Sequence, residues 1–142
     1  MRLLDRLIDR AAKALPTTLQ SRAIIFGSAP MVFAGLKEDV TFDLDLFVDD
    51  ATYQALRSAG FAEDQDERGL PRIMVAEAVE VVSIWPGLEF ETVFASSATR
   101  EGSRGFRVAS LEHVLAFKVD SVREKDRREA EIIRRSLGSS AS

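Results

Sequence analysis

The chain contains no cysteine and a single histidine, His113, among its 142 residues. The first absence excludes a disulfide frame and any thiolate metal site, and the second excludes a multi-histidine site. Only oxygen donors remain for a metal, which narrows the candidates to hard divalent cations such as Mg²⁺ or Mn²⁺. Long apolar runs are also missing: nothing approaches the ~20 residues that a spanning helix needs. The opening "MRLLDRLIDR" is interrupted by Asp5, Arg6, Asp9 and Arg10 and does not read as a secretory leader. A cytoplasmic setting is the expectation. Positive charge is not in excess, and a net charge of −4 gives no support to general nucleic-acid binding, although a local basic patch stays open.

The residues that are present suit one globular domain. Hydrophobic residues make up 46%, enough at this length to bury a core without staples. The expected domain spans residues 1–137, with "GSSAS" (138–142) as a disordered tail, and no repeat or linker divides it. Leu4, Leu7, Ile8, Ala11 and Leu15 fall on one helical stripe that Pro16 ends. "AIIF" (23–26) reads as a buried strand, followed by a Gly27-Ser28 turn and a short helix capped by Ser28 and stopped at Gly35. "TFDLDLFV" (41–48) alternates with period two and reads as a strand. Phe42, Leu44, Leu46 and Val48 share one face; Thr41, Asp43, Asp45 and Phe47 share the other. A helix follows over 50–60, then a polar loop, then paired strands "RIMVA" and "VEVVSIW". Residues 88–98 fit either a strand or a short helix. "FRVA" is a short strand, Ser110 a cap, and a helical pattern runs from Leu111 to about residue 136. It breaks near Lys125, where Asp126 and Glu129 read as a second capping pair. The class is α+β: a small mixed sheet with helices packed on it and a C-terminal helix pair.

Asp43 and Asp45 carry the chemistry. Side chains at i and i+2 of a strand point the same way, and two carboxylates that close repel each other unless a cation sits between them. A divalent ion with oxygen ligands resolves the conflict. Taken alone, such a strand equally shows its charges to water. The preceding turn adds weight, since a helix starting at Ser28 offers unpaired backbone N–H groups to an anion and Gly27 lets a phosphate approach closely.

The ordered combination "IIFGS", short helix, "DLDLFV" resembles the nucleotidyltransferase superfamily related to DNA polymerase beta. "SLEHVLAFKVDSVREKDRREAEII" is similar to a helix pair in the compact branch that includes AbiEii-type toxins of toxin–antitoxin systems, with Lys118 on its lysine and Arg123, Lys125 and Asp126 on its basic-acidic junction. The resemblance covers roughly residues 22–134. It implies a nucleotidyltransferase-like fold and Mg²⁺-dependent (or Mn²⁺-dependent) transfer of a nucleoside monophosphate from an NTP to an acceptor hydroxyl on tRNA, protein or a small molecule. By that resemblance Asp43, Asp45 and a third carboxylate hold metal, Gly27 and Ser28 cradle phosphates, and Lys118 offsets their charge. Glu80 is the best match for the third carboxylate and Glu77 the runner-up. An antitoxin partner or a homo-oligomer is a further implication.

Other readings stand beside this one. Lys118, in the middle of an apolar stripe, snorkels, pairs with an acid or meets a bound anion. His113 reads as an exposed first-turn residue. Trp85 stacks on a base or packs in the core. Arg100, Arg104 and Arg107 form a basic patch or a solvated loop. A non-catalytic nucleotide-sensing or partner-binding module on the same fold is the alternative function, and a first helix whose stripe is left uncovered would mark an interface protein.

Overall fold

A computed structural model describes residues 2–141, with side chains described through residue 138. Among the described residues, seven helices accompany a seven-stranded mixed sheet. The helices are α1 (Leu3–Ala14), α2 (Thr17–Gln20), α3 (Ala29–Phe33), α4 (Asp50–Ser58), α5 (Phe90–Ser96), α6 (Leu111–Val119) and α7 (Glu124–Ala141). The strands are β1 (Ala23–Phe26), β2 (Leu44–Val48), β3 (Glu63–Gln65), β4 (Pro71–Ala76), β5 (Val79–Val82), β6 (Ala98–Thr99) and β7 (Arg107–Val108). They lie in the order β3-β4-β5-β2-β1-β7-β6. β2 runs antiparallel to β1 and parallel to β5, so the center of the sheet is β5-β2-β1.

Both faces of this center are buried, which explains why β1 and β5 read as apolar runs. One face, with Ile25, Leu44, Leu46, Val79 and Val81, packs under the stripe of α1 and under Tyr53 and Leu56 of α4. The opposite face, with Ile24, Phe26, Phe47 and Val82, packs against Trp85, Phe90, Val114 and Ile133 from the C-terminal half. The stripe of α1 is fully covered, so the uncovered first helix that would mark an interface protein is not found. Asp39, in the loop before β2, accepts from the backbone N–H of Leu3 (2.7 Å) and Leu4 (2.9 Å) and so caps α1 from a distance.

Several expectations change. β2 begins at Leu44, and Phe42, expected on one strand face with Leu44, Leu46 and Val48, lies before the strand and is 77% exposed beside a cleft. Ser28 and Ser110 precede helices, but neither side chain makes a cap hydrogen bond. Asp126 and Glu129 lie inside α7, and their carboxylates turn to a buried lysine instead of to the helix start. Residues 90–96 settle as helix α5. Helix α7 extends over most of the segment 138–142 expected as a tail, and Ser142 lies outside the described residues. Among the described residues no helix is long and apolar enough to cross a membrane.

The layering gives a direct contrast. Phe47 is 1% exposed and edges onto Phe26 and Phe90, so Phe47→Ala is expected to cost ~3–5 kcal/mol in urea unfolding. Phe42→Ala is expected to stay within about 0.5 kcal/mol of wild type in the same measurement.

Candidate metal and phosphate site

The register of the sheet brings the acids together. Asp45 pairs across β2 with Phe26 of β1 on one side and with Glu80 of β5 on the other. Asp45 and Glu80 therefore point to the same face, that of Phe47 and Val82, at the end where the apolar layer opens. Asp43, two residues earlier, joins them. One carboxylate oxygen from each of Asp43, Asp45 and Glu80 lies within 4.8 Å of the other two. Glu77, the alternative third acid, sits exposed in the β4–β5 turn, outside this cluster.

Gly27 fixes how close the turn can come. Its φ is +69°, a conformation that L side chains rarely adopt. A Cβ built there would stand 2.5 Å from Asp45 Oδ2, so the carboxylate lies directly on the glycine. Burial pushes the Asp45 carboxyl well above the usual carboxylate range. The Asp43 charge and hydrogen bonding with Glu80 push the same way, and the Lys118 ammonium pulls back. Three acids so placed form an all-oxygen set that suits a hard divalent cation, which would offset both the burial and the Asp43 repulsion that raise Asp45.

The cluster opens into a cleft of ≈ 960 Å³. Gly27, Ser28 and the three acids line it together with Arg68, Arg72, Lys118, Arg123 and Lys125, and Phe42, Trp85, Phe117 and Val122 supply apolar surface. Trp85 is a core residue, with its ring 4.4 Å from Phe26 and 5.0 Å from Phe117, and its buried indole Nε1 has no hydrogen-bond partner among the described residues. The turn lines the cleft, but the helix behind it is five residues long, so its dipole adds little for an anion.

Lys118 resolves into the second of its readings. It is 1% exposed, and its Nζ donates to Asp126 Oδ1 (3.1 Å), Glu129 Oε1 (2.9 Å) and Ser28 Oγ (3.2 Å). Ser28 Oγ donates to Glu129 Oε1 (2.7 Å), Lys37 Nζ to Glu129 Oε2 (2.5 Å), and Ser121 Oγ to Asp126 Oδ2 (2.7 Å). Ser28 and Lys118 thus reach the site as parts of a buried network that ties α6 and α7 to the Gly27 turn. Its place in an apolar stripe marks Lys118 as anomalous in the sequence; its partners on the next helix carry a capping pattern there, which does not point to the lysine.

The remaining candidates are structural. Arg104 pairs with Asp9, and Arg107 donates to Ser97 O and stacks over Phe94, so these two arginines do not form one open basic patch. His113 is half-buried, with Nδ1 2.9 Å from Ser96 Oγ. Sequence reading missed Arg72, whose Nη1 lies 3.8 Å from Glu80 Oε1 and whose Nε donates to Asp64 Oδ1 (2.8 Å).

Burial alone raises the Glu129 carboxyl, but hydrogen bonds from Lys37, Lys118 and Ser28 outweigh it and carry it down to about 2 from 4.5. Its stabilisation is therefore complete above about pH 4.5 and lost as pH falls toward about 2, on the order of 3 kcal/mol. Urea unfolding should show wild type exceeding Glu129→Gln at neutral pH, with the gap closing across that acid window. Gly27→Ala should destabilise the fold and displace Asp45, whereas Gly69→Ala, also at positive φ but with no atom within 4 Å of its Cβ, tests the φ cost alone.

Comparison with protein-family models, with curated proteins and with solved structures found no match for this chain.

Proposed function

We propose that this protein is a metal-dependent nucleotidyltransferase that moves a nucleoside monophosphate from an NTP to an acceptor hydroxyl. The observation that carries the reading is the convergence of Asp43, Asp45 and Glu80 on the Gly27 turn in one cleft. In this reading the three carboxylates hold Mg²⁺ or Mn²⁺. Held there, such an ion would neutralise triphosphate charge and lower the pKa of an attacking hydroxyl. The acceptor oxygen forms a bond to the α-phosphorus, the bond from that phosphorus to the bridging oxygen breaks, and pyrophosphate leaves with the electron pair. The hydroxyl proton passes to a carboxylate of the cluster within hydrogen-bond reach or to solvent. Gly27 admits phosphate oxygens to the backbone, and Arg68, Arg123 and Lys125, which line the cleft, balance their charge. Lys118 acts at one remove, by holding Ser28 and the turn in place. The chain supplies position and charge, with no covalent enzyme intermediate. An acceptor on tRNA, protein or a small molecule fits this chemistry, as does a cytoplasmic setting where NTP is plentiful. An antitoxin-like partner or a second copy of the chain belongs to the same proposal.

One observation favours a second reading, a non-catalytic nucleotide-sensing or partner-binding module. The Lys118 amino group is fully engaged by Asp126, Glu129 and Ser28 and is not free to meet a transferring phosphate.

Labelled NTP supplied with Mg²⁺ or Mn²⁺, and with tRNA or total protein as acceptor, separates the two. Transfer is expected, and Asp43→Asn or Asp45→Asn should lower it by more than about 10²-fold. Binding of nucleotide without transfer would favour the sensor. In metal-free buffer at neutral pH, Asp45→Asn should melt above wild type. A carboxyl whose folded pKa is raised loses stability as pH climbs from its unfolded value through its folded one, and asparagine removes that loss. Addition of Mn²⁺ should raise the melting temperature of wild type and leave that of Asp45→Asn nearly unmoved. A wild type indifferent to Mn²⁺ and NTP would contradict the proposal.

A further inference from the structure

One face of the sheet carries a row of charges that crosses four strands. Asp64 of β3 lies opposite Arg72 of β4. Arg72 is two residues from Met74, the register partner of Glu80 on β5, so Arg72 and Glu80 are diagonal neighbours on one face. Glu80 in turn lies opposite Asp45 of β2. The order along the row is acid, arginine, acid, acid, and the last two belong to the proposed metal site.

The two contacts of Arg72 are unequal. Its hydrogen bond to Asp64 is 2.8 Å long, whereas its approach to Glu80 is 3.8 Å, too long for a hydrogen bond. Asp64 is 59% exposed in its side chain and Glu80 15%, so the guanidinium is anchored at the wetter end and reaches toward the drier one. The other cation near the acids, Lys118, is committed to Asp126 and Glu129. Arg68, which lines the same cleft, pairs with Asp66 and makes no ion pair with the cluster. Among the described residues, Arg72 is therefore the one cation that forms an ion pair with a member of the acid cluster, Glu80.

We propose that Arg72 is the resident counter-ion of the acid cluster, competing with a divalent cation for Glu80, while Asp64 is the seat that keeps the guanidinium anchored when Glu80 is taken. This rests on the metal reading above and makes Arg72 and Asp64 positioning residues that set the metal affinity of the site. The competition works through a short-range charge contact. Removing Arg72 leaves Glu80 to the metal alone, and removing Asp64 frees the guanidinium to pair fully with Glu80.

The test is titration of the full chain with Mn²⁺ alone, read as free Mn²⁺ by electron paramagnetic resonance, with thermal melts confirming that each variant is folded. Arg72→Gln should tighten Mn²⁺ binding by about tenfold, and Asp64→Asn should weaken it severalfold. Arg68→Gln should stay within about twofold of wild type, since its charge lies outside the row. Arg72→Lys, which keeps the charge but lacks the planar fork that spans both acids, should fall between wild type and Arg72→Gln. In a Glu80→Gln background, Arg72→Gln should have little effect. An unchanged or weaker affinity in Arg72→Gln, or an equal gain in Arg68→Gln, overturns the proposal while leaving the metal site standing. No Mn²⁺ uptake by either wild type or Arg72→Gln overturns the metal reading itself.

Discussion

The contact of the Asp45 carboxylate with Gly27 is the constraint from which the site follows. A side chain at residue 27 would meet Asp45 Oδ2 at 2.5 Å, so glycine is required by space as well as by its φ of +69°. The contact places the end of β1 against the acid of β2, and the register of β2 with β5 brings Glu80 to the opposite side. Three carboxylates end up where an apolar layer opens into a cleft. Such an arrangement is costly without a cation, and the raised Asp45 carboxyl is the signature of that cost. Binding a divalent ion would turn a destabilising cluster into a functional one.

Around this cluster the chain builds a buried polar frame. Lys118, Asp126 and Glu129 are 1%, 3% and 5% exposed. A buried ion pair is weak evidence for stability, because desolvation offsets much of the attraction. Its geometry nevertheless fixes orientation. Glu129 receives Ser28, Lys37 and Lys118, and thereby joins α7, the loop after α3, α6 and the Gly27 turn at one point. Each partner removed would leave a buried donor or acceptor one hydrogen bond short, which penalises other arrangements of the frame. The cleft inherits that rigidity.

Much of this was legible in the sequence, for reasons tied to particular residues. The stripe of α1 and the stop at Pro16 follow from period and backbone chemistry alone. Alternation along β2 accounts for the face of Asp45, whereas Asp43 joins it from the residue just before the strand, and Gly27-Ser28 forms the turn that the Gly-Ser pair suggests. Glu80 could be chosen only as an acid within an apolar strand; its distance from Asp45 depends on β2–β5 register, which the sequence does not print. Asp126 and Glu129 carried a capping pattern, and local spacing could not show that a lysine on the preceding helix would claim both. Phe42 fitted the alternation of β2, but the strand starts two residues later, so periodicity extended beyond the ladder misplaced it. The Arg72 contact was invisible because diagonal pairs exist only once neighbouring strands are aligned.

The most direct test of the account is anomalous diffraction from crystals of the chain soaked with Mn²⁺ and a non-hydrolysable NTP analogue. The account predicts an anomalous peak bounded by the Asp43, Asp45 and Glu80 carboxylates, with the triphosphate on the Gly27 turn. A peak elsewhere, or none at a soak that saturates the protein in solution, would contradict it.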